Sequence, residues 1–289
     1  MRPPSERRYS RAVTERSCAR RVGIRDVGRT LLTVAAIAPG LVTGLATLAW
    51  TRDRRRALNR AIELWGRLGT RAAGIDLRVR GAEHLEIRPA VFIINHQSGV
   101  DPFLVCALLR RDFVGVAKRE IRRNPVLGPA FAFAGTVFLD RADSEQAIRS
   151  LEPAVDTLRR GIAVAMAPEG TRSPGAAIGR LKKGAFRLAM AARVPLVPIV
   201  ILDSTAVLPS GAWIMTAAPV HVVVHPPIPT DTWRLEALEQ HVERLERLYE
   251  ESLAQPPRED RATRVGDRLD LERGAAPGPA LAPLDGAEG

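Results

Sequence analysis

A histidine and an aspartate five residues apart, His96 and Asp101, stand in the stretch VFIINHQSGVD at positions 91–101. A neutral imidazole can take a proton from a hydroxyl near pH 7. A neighbouring carboxylate can hold its tautomer and stabilise the imidazolium that forms. On one continuous helix the two side chains would point about 140° apart, at roughly 100° per residue. The pairing therefore needs a turn. The apolar run 91–94 reads as a buried strand, the polar residues Asn95, His96, Gln97 and Ser98 break it, and Asp101-Pro102 opens a helix with Asp as N-cap and Pro at the first helical position. Ser98 is the alternative N-cap, with Asp101 at capping-box spacing.

Two more polar stretches follow apolar runs. GTVFLDR at 135–141 delivers Asp140 and Arg141 at a strand end, where a plain surface ion pair is the simpler reading. PEGTRS at 168–173 follows the apolar strand 162–166. There Gly170 permits a tight turn or a close backbone approach to a ligand, Thr171 offers a hydroxyl, and Arg172 offers a planar fork matched to phosphate oxygens. Glu169 could accept a hydrogen bond from a substrate hydroxyl or orient Arg172. Lys182, Lys183 and Gly184 open a helix shortly after. VPLVPIVIL at 194–202 reads as an edge strand, because prolines are normally kept to edges and strand starts; its functional reading is a wall for an acyl chain.

The elements that must carry these residues alternate. Strands are expected at 77–80, 90–94, 114–117, 136–139, 162–166, 196–202 and 220–225. Helices are expected at 102–110, within 119–134, and at 144–160, 182–193 and 232–253. That order predicts an α/β fold with a largely parallel sheet flanked by helices, over a catalytic domain at 74–255. Residues 256–289, rich in Pro, Gly and Ala, read as a disordered tail.

The N-terminal part has another character. Residues 1–30 carry nine arginines and read as a disordered basic arm. Residues 31–50 hold no charge and are long enough to span a bilayer. Pro39-Gly40 interrupts them and arginines flank both ends, so a simple span would place one basic flank outside. The expectation is a broken hairpin dipping into one leaflet, with a simple span as the alternative. A cleaved signal peptide does not fit the long basic lead and the Arg-rich flank that follows. Residues 55–73 read as an amphipathic helix with Leu58, Ile62, Trp65, Leu68 and Ala72 on one stripe, suited to a membrane interface or to packing on the domain. The segment 31–73 is thus expected to be membrane-associated.

Net charge is +11, with 40 of the 43 basic residues arginine, which points to anionic partners: phosphate substrates, acidic lipids or nucleic acid. Aromatics at 4% disfavour base-stacking platforms, and no zinc-finger or RNA-recognition pattern is present, so nucleic acid is not the expected partner. Two cysteines, Cys18 and Cys106, make neither a disulfide framework nor a metal pattern.

NHQSGVD, GTVFLDR, PEGTRS and VPLVPI, in this order, resemble the four motif blocks of the glycerolipid acyltransferase family, most closely the bacterial 1-acyl-glycerol-3-phosphate acyltransferases. VGVAKREI and LKKGAFRLA also look like family sequence, and the resemblance covers about residues 65–200. Ala167 departs from the Phe that often precedes the Pro-Glu-Gly. The resemblance implies transfer of a fatty acyl group from acyl-CoA or acyl-carrier protein to a glycerol-phosphate hydroxyl, with no other cofactor and no metal. It implies His96 as general base and Asp101 as its orienting partner. It places Glu169, Gly170, Thr171 and Arg172 at the acceptor's glycerol and phosphate, with Arg141 as a second cation and Lys183 as a further candidate. No nucleophile elbow is present, so direct attack by the acceptor oxygen is expected. The expected partners are a membrane lipid acceptor, the acyl donor and an anionic membrane surface. The expected location is the cell membrane, with the catalytic domain on the cytoplasmic face.

Overall fold

The computed structural model describes residues 22–125, 127–139, 151–170, 178–254 and 263–264. The chain opens with helices α1 (Ile24–Ala35) and α2 (Ile37–Thr51), which meet at Ala36 and run on as one helix, Ile24–Thr51. Pro39 lies in the first turn of α2. It has no N–H to give the Ala35 carbonyl and its ring crowds that carbonyl, which is why the ladder slips here. The expected reversal at Pro39-Gly40 does not occur. The chain reverses instead after Thr51, where Arg52 takes the left-handed conformation at φ 55° and Asp53 caps α3 (Arg54–Ala72) by accepting from the N–H groups of Arg55 and Arg56.

The α2–α3 hairpin is closed by small residues. A β-carbon on Gly44 would stand 3.0 Å from Ala61 Cβ and 3.2 Å from the Ala57 carbonyl oxygen. The buried face of α3 is Ala57, Ala61, Ile62, Gly66, Gly69 and Thr70, so only Ile62 of the expected stripe is on it. A helix squeezed between two others buries its smallest side chains, because these let the backbones approach. The larger Trp65 turns partly aside, edge-to-face on Phe103 and Phe131.

The sheet and its helices follow: β1 (Asp76–Arg80), β2 (Val91–Ile94), α4 (Asp101–Leu109), β3 (Phe113–Lys118), α5 (Leu127–Phe133), β4 (Val137–Leu139), α6 (Glu152–Arg159), β5 (Ala163–Met166), α7 (Gly184–Ala192), β6 (Leu196–Leu202), α8 (Ser204–Val207), β7 (Pro219–Val224), α9 (Leu238–Ala254) and β8 (Thr263–Arg264). A short 3-10 turn, Arg119–Arg123, links β3 to α5. The sheet order is β4-β3-β5-β2-β6-β7-β1-β8. The pairs from β4 through β6 are parallel, β6 with β7 and β1 with β8 are antiparallel, and β1 with β7 is parallel. The largely parallel α/β expectation holds. The first half of the helix expected at 144–160, and the tail beyond 264, lie outside the described residues.

One apolar layer packs β2 residues Phe92 and Ile94 with Leu104 and Leu108 of α4. The other packs Val91 and Ile93 with α6, α7 and α9, through residues such as Leu158, Phe186 and Tyr249. Strand β2 is buried on both faces, as a strand inside a parallel sheet must be. The same holds for β6, which is not the expected edge strand: it pairs with β2 on one side and β7 on the other, and every residue is buried. Pro198 is tolerated because its carbonyl, which accepts from the His225 N–H at 2.9 Å, faces the β7 side, so its missing N–H does too. Pro198 sits just ahead of the first paired residue of the β7 ladder, Ile199, so its missing N–H falls at the ladder's end and not within it.

Candidate active site

Three adjacent parallel strands present the site at their carboxyl ends, where ligands of such sheets bind. From β2 come Asn95 and His96, from β5 come Glu169 and Gly170, and β3 ends in Lys118. Asn95 is 1% exposed and locks the turn: its amide donates to the Ile201 carbonyl at 2.8 Å and accepts from the Ile201 N–H at 2.7 Å. His96 therefore leaves the sheet at a fixed point. Helix α4 begins one residue earlier than expected, with Val100 as N-cap and Asp101 as the first helical residue. Asp101 does not cap its own helix. Its Oδ2 accepts from the N–H groups of Gln97 and Ser98, both at 2.9 Å, and lies 2.6 Å from Nδ1 of His96. The turn that the five-residue spacing demanded is built by the carboxylate itself. A carboxylate here can only accept, so Nδ1 carries the proton, and in the neutral ring the lone pair is on Nε2.

Glu169 is buried and engages backbone. One carboxylate oxygen accepts from the N–H of His96 at 2.8 Å and the other from the N–H of Gly179 at 3.0 Å. It thereby ties the histidine loop to the chain that returns after residues 171–177. Helix α9 holds the same return: Glu246 accepts from the Leu181 N–H at 2.8 Å, and Glu239 pairs with Arg180 and Lys183. Tyr249 of α9, fully buried, donates to the Ile93 carbonyl at 2.5 Å, and burial pushes its phenol well above the usual range.

A cavity of about 640 Å³ opens on His96 and Asp101. Trp65, Val105, Phe113, Val116, Phe131 and Met166 line it as apolar walls, and Gly170 and Lys118 reach it as well. Cys106 also lines it, its thiol pushed up to about 12 by burial and therefore inert as a nucleophile at neutral pH. Among the described residues, no group of three His, Cys, Asp or Glu is placed to hold a metal.

The structure thus brings His96, Asp101, Glu169 and Gly170 together. Thr171, Arg172 and Arg141 lie outside the described residues. Lys183 is turned to Glu239 of α9, which also pairs with Arg180, and is not part of the cavity lining. No residue of β6 lines the cavity, so the acyl-wall reading of VPLVPIVIL is not met; that strand's contribution is to anchor Asn95. Lys118 was left out of the sequence-based site, although its position at a strand end matched that of the motif residues. Tyr249 and Glu246 gave no local signal, because their partners are more than sixty residues away.

An imidazole held by a carboxylate at the wall of an apolar cavity is an arrangement suited to acyl transfer onto a hydroxyl. The comparisons agree. The acyltransferase family model matches residues 76–202. A 1-acyl-sn-glycerol-3-phosphate acyltransferase of Limnanthes douglasii is 32% identical over 224 residues, 77% of this chain and 79% of that one. The human alpha enzyme of that name is 36% identical over 160 residues, 55% of this chain and 56% of that one. The crystal structure of the 1-acyl-sn-glycerophosphate acyltransferase from Thermotoga maritima superposes with a TM-score of 0.64 at 28% identity, covering 81% of this chain and 99% of that one. The chain belongs to the 1-acyl-sn-glycerol-3-phosphate acyltransferase family.

Proposed function

We propose that the protein transfers a fatty acyl group from acyl-CoA or acyl-carrier protein to the free hydroxyl of 1-acyl-glycerol 3-phosphate, giving phosphatidic acid. The carrying observation is the 2.6 Å His96–Asp101 pair opening on a 640 Å³ apolar cavity. Nε2 of His96 takes the hydroxyl proton as the acceptor oxygen bonds to the thioester carbonyl carbon. Asp101 stabilises the imidazolium. The C–S bond then breaks, and the imidazolium returns the proton to the departing sulfur, leaving an ester and a free thiol. The cavity takes an acyl chain, and Lys118 supplies a cation at its wall. Arg172, Thr171 and Arg141 keep the phosphate roles that the family resemblance assigns. No metal or further cofactor takes part.

The acceptor is a bilayer lipid, so the site works at a membrane surface. Helix Ile24–Thr51 is long and apolar enough to cross a membrane, with mean hydropathy 1.9 in its most apolar window, of which 22% is buried. Its packing along α3 supports a different placement: it lies against the domain and inserts its outer face into one leaflet. Acyl donors are cytosolic, which puts the domain on the cytoplasmic face.

The test is thiol release by detergent-purified protein given acyl-CoA and 1-acyl-glycerol 3-phosphate, with the product identified by mass. Wild type is expected to give phosphatidic acid and His96→Ala to lose roughly a hundred- to ten-thousand-fold in kcat. A His96→Ala variant that keeps most of its activity overturns the mechanism. Product only from glycerol 3-phosphate or another lysolipid overturns the acceptor.

A further inference from the structure

We infer that the loop 208–218 is a second membrane-contact element, which places Trp213 in the headgroup region of an anionic bilayer beside helix α1. Trp213 is 87% exposed. A tryptophan left in water at the tip of an ordered loop is a costly choice, and its amphipathic ring is suited to the boundary between headgroups and acyl chains. The surrounding sequence has the same bias. From Ser204 to Val220 there is no Asp, Glu, Lys, Arg or His, in a chain that is 26% charged.

The loop is built to hold that ring in place. Ala212 N–H donates to the Pro209 carbonyl at 3.0 Å, closing a turn that uses Gly211 at φ 79°. Two bonds of 2.8 Å secure the return: Thr216 N–H to the Val207 carbonyl, and the Thr216 hydroxyl to the Ala206 carbonyl. Met215 is buried, and its N–H donates to the Thr30 hydroxyl of α1 at 2.8 Å. The loop is thereby pinned to the helix that carries exposed Ile24, Val27, Leu31 and Leu32. At its base, the Ser98 hydroxyl donates to the Leu208 carbonyl at 2.8 Å, so the same loop touches the turn between His96 and Asp101.

The occupant is lipid on charge grounds. Exposed Arg25, Arg52 and Arg54 stand near the two ends of the helix Ile24–Thr51, and the chain carries +11 overall, which complements an anionic leaflet. The inference rests on the reading that the acceptor is a membrane lipid, but its test needs no turnover.

Full-length protein carrying Trp50→Phe keeps Trp213 as its one strongly exposed tryptophan, Trp65 and Trp233 being half-buried. Its emission is to be read on vesicles of phosphatidylethanolamine and phosphatidylglycerol that carry bromine high on the acyl chains. Quenching is expected, and it is expected to vanish when Trp213→Phe is added. Trp213→Ser in the otherwise unchanged chain should weaken vesicle partition about tenfold. It should leave thiol release with a monomeric, short-chain acceptor unchanged. Protein that sediments with the vesicles while its emission stays unquenched overturns the inference. So does a self-association in the absence of vesicles that Trp213→Ser abolishes, since the ring would then be covered by a second copy.

Discussion

Glu169 uses both carboxylate oxygens on backbone N–H groups, those of His96 and Gly179. A charged hydrogen bond of this kind contributes about 1.5–3 kcal/mol, and here it fixes the backbone of His96, the base of the proposed mechanism. Glu169→Gln keeps one good acceptor and sets an amide N–H against the other donor, so one end of the tie is lost. The expected outcome is a fall in kcat of roughly tenfold or more with little change in KM for the acceptor, read from steady-state thiol release. A rise in acceptor KM at constant kcat would instead make Glu169 a ligand of the substrate, the role that the family resemblance implies. The pairing of His96 with Asp101 was legible in sequence because both residues, and the turn that joins them, lie within six positions. The use made of Glu169 was not, because both of its partners are brought to it by the tertiary fold.

Helix α3 joins the N-terminal segment to the domain by close backbone contact. A β-carbon on Gly66 would stand 2.4 Å from the Ala107 nitrogen and 2.5 Å from the Cys106 carbonyl carbon, both in α4. Backbone cannot swing aside as a side chain can, so the two helices would have to part, and α4 carries Asp101. Gly66→Ala is expected to lower stability by about 1–3 kcal/mol in thermal or denaturant unfolding, in spite of the better helix propensity of alanine. Gly28→Ala in α1 is the control: a β-carbon there meets nothing within 4 Å, so propensity alone should act, and stability should hold or rise. Equal effects of the two substitutions would refute the close-contact account. The order of strands and helices was readable from periodicity, since apolar runs and punctuating residues are local properties. The buried face of α3 was not. The large apolar residues at 58, 65 and 68 marked a stripe, whereas the packing between α2 and α4 selected the small ones. Strand β6 was misplaced at an edge for a related reason: whether a proline's missing N–H matters depends on where the neighbouring ladder begins.

At the scale of the whole molecule, the apolar helix Ile24–Thr51 is about 42 Å long at 1.5 Å per residue, enough to cross a bilayer. It is also bound to the domain at points spread along it. Thr30 accepts from Met215, and Gly40 and Gly44 lie against Ala61 of α3, whose own Gly66 and Gly69 lie against α4. Crossing would require those contacts to be abandoned or the charged domain to follow, and Arg55 of α3 is ion-paired with Asp112. Lying in one leaflet keeps every contact and still buries Leu31, Leu32, Val42 and Leu45, each more than half exposed to solvent in the free protein. Sequence hydropathy could not separate the two arrangements, because it reports how apolar a helix is and not what already covers it. Deleting the helix would be a poor test, since it would bare Ala57 and Ala61 and unsettle α3. Replacing Leu31, Leu32, Val42 and Leu45 by serine leaves that inner face intact. Partition to vesicles containing phosphatidylglycerol should then fall by at least a hundredfold, since each leucine or valine fully transferred is worth about 1.5–3 kcal/mol and even partial insertion of four sums past that. Unfolding should shift little, as surface changes normally stay near 0.5 kcal/mol each. The one-leaflet placement proposed above also implies a topology. A thiol-reactive probe confined to the far side of sealed vesicles should fail to label a cysteine placed at Val22, just as it fails at one placed after α9. Labelling at Val22 alone would mean that the helix crosses, and that the packing along α3 gives way in the membrane.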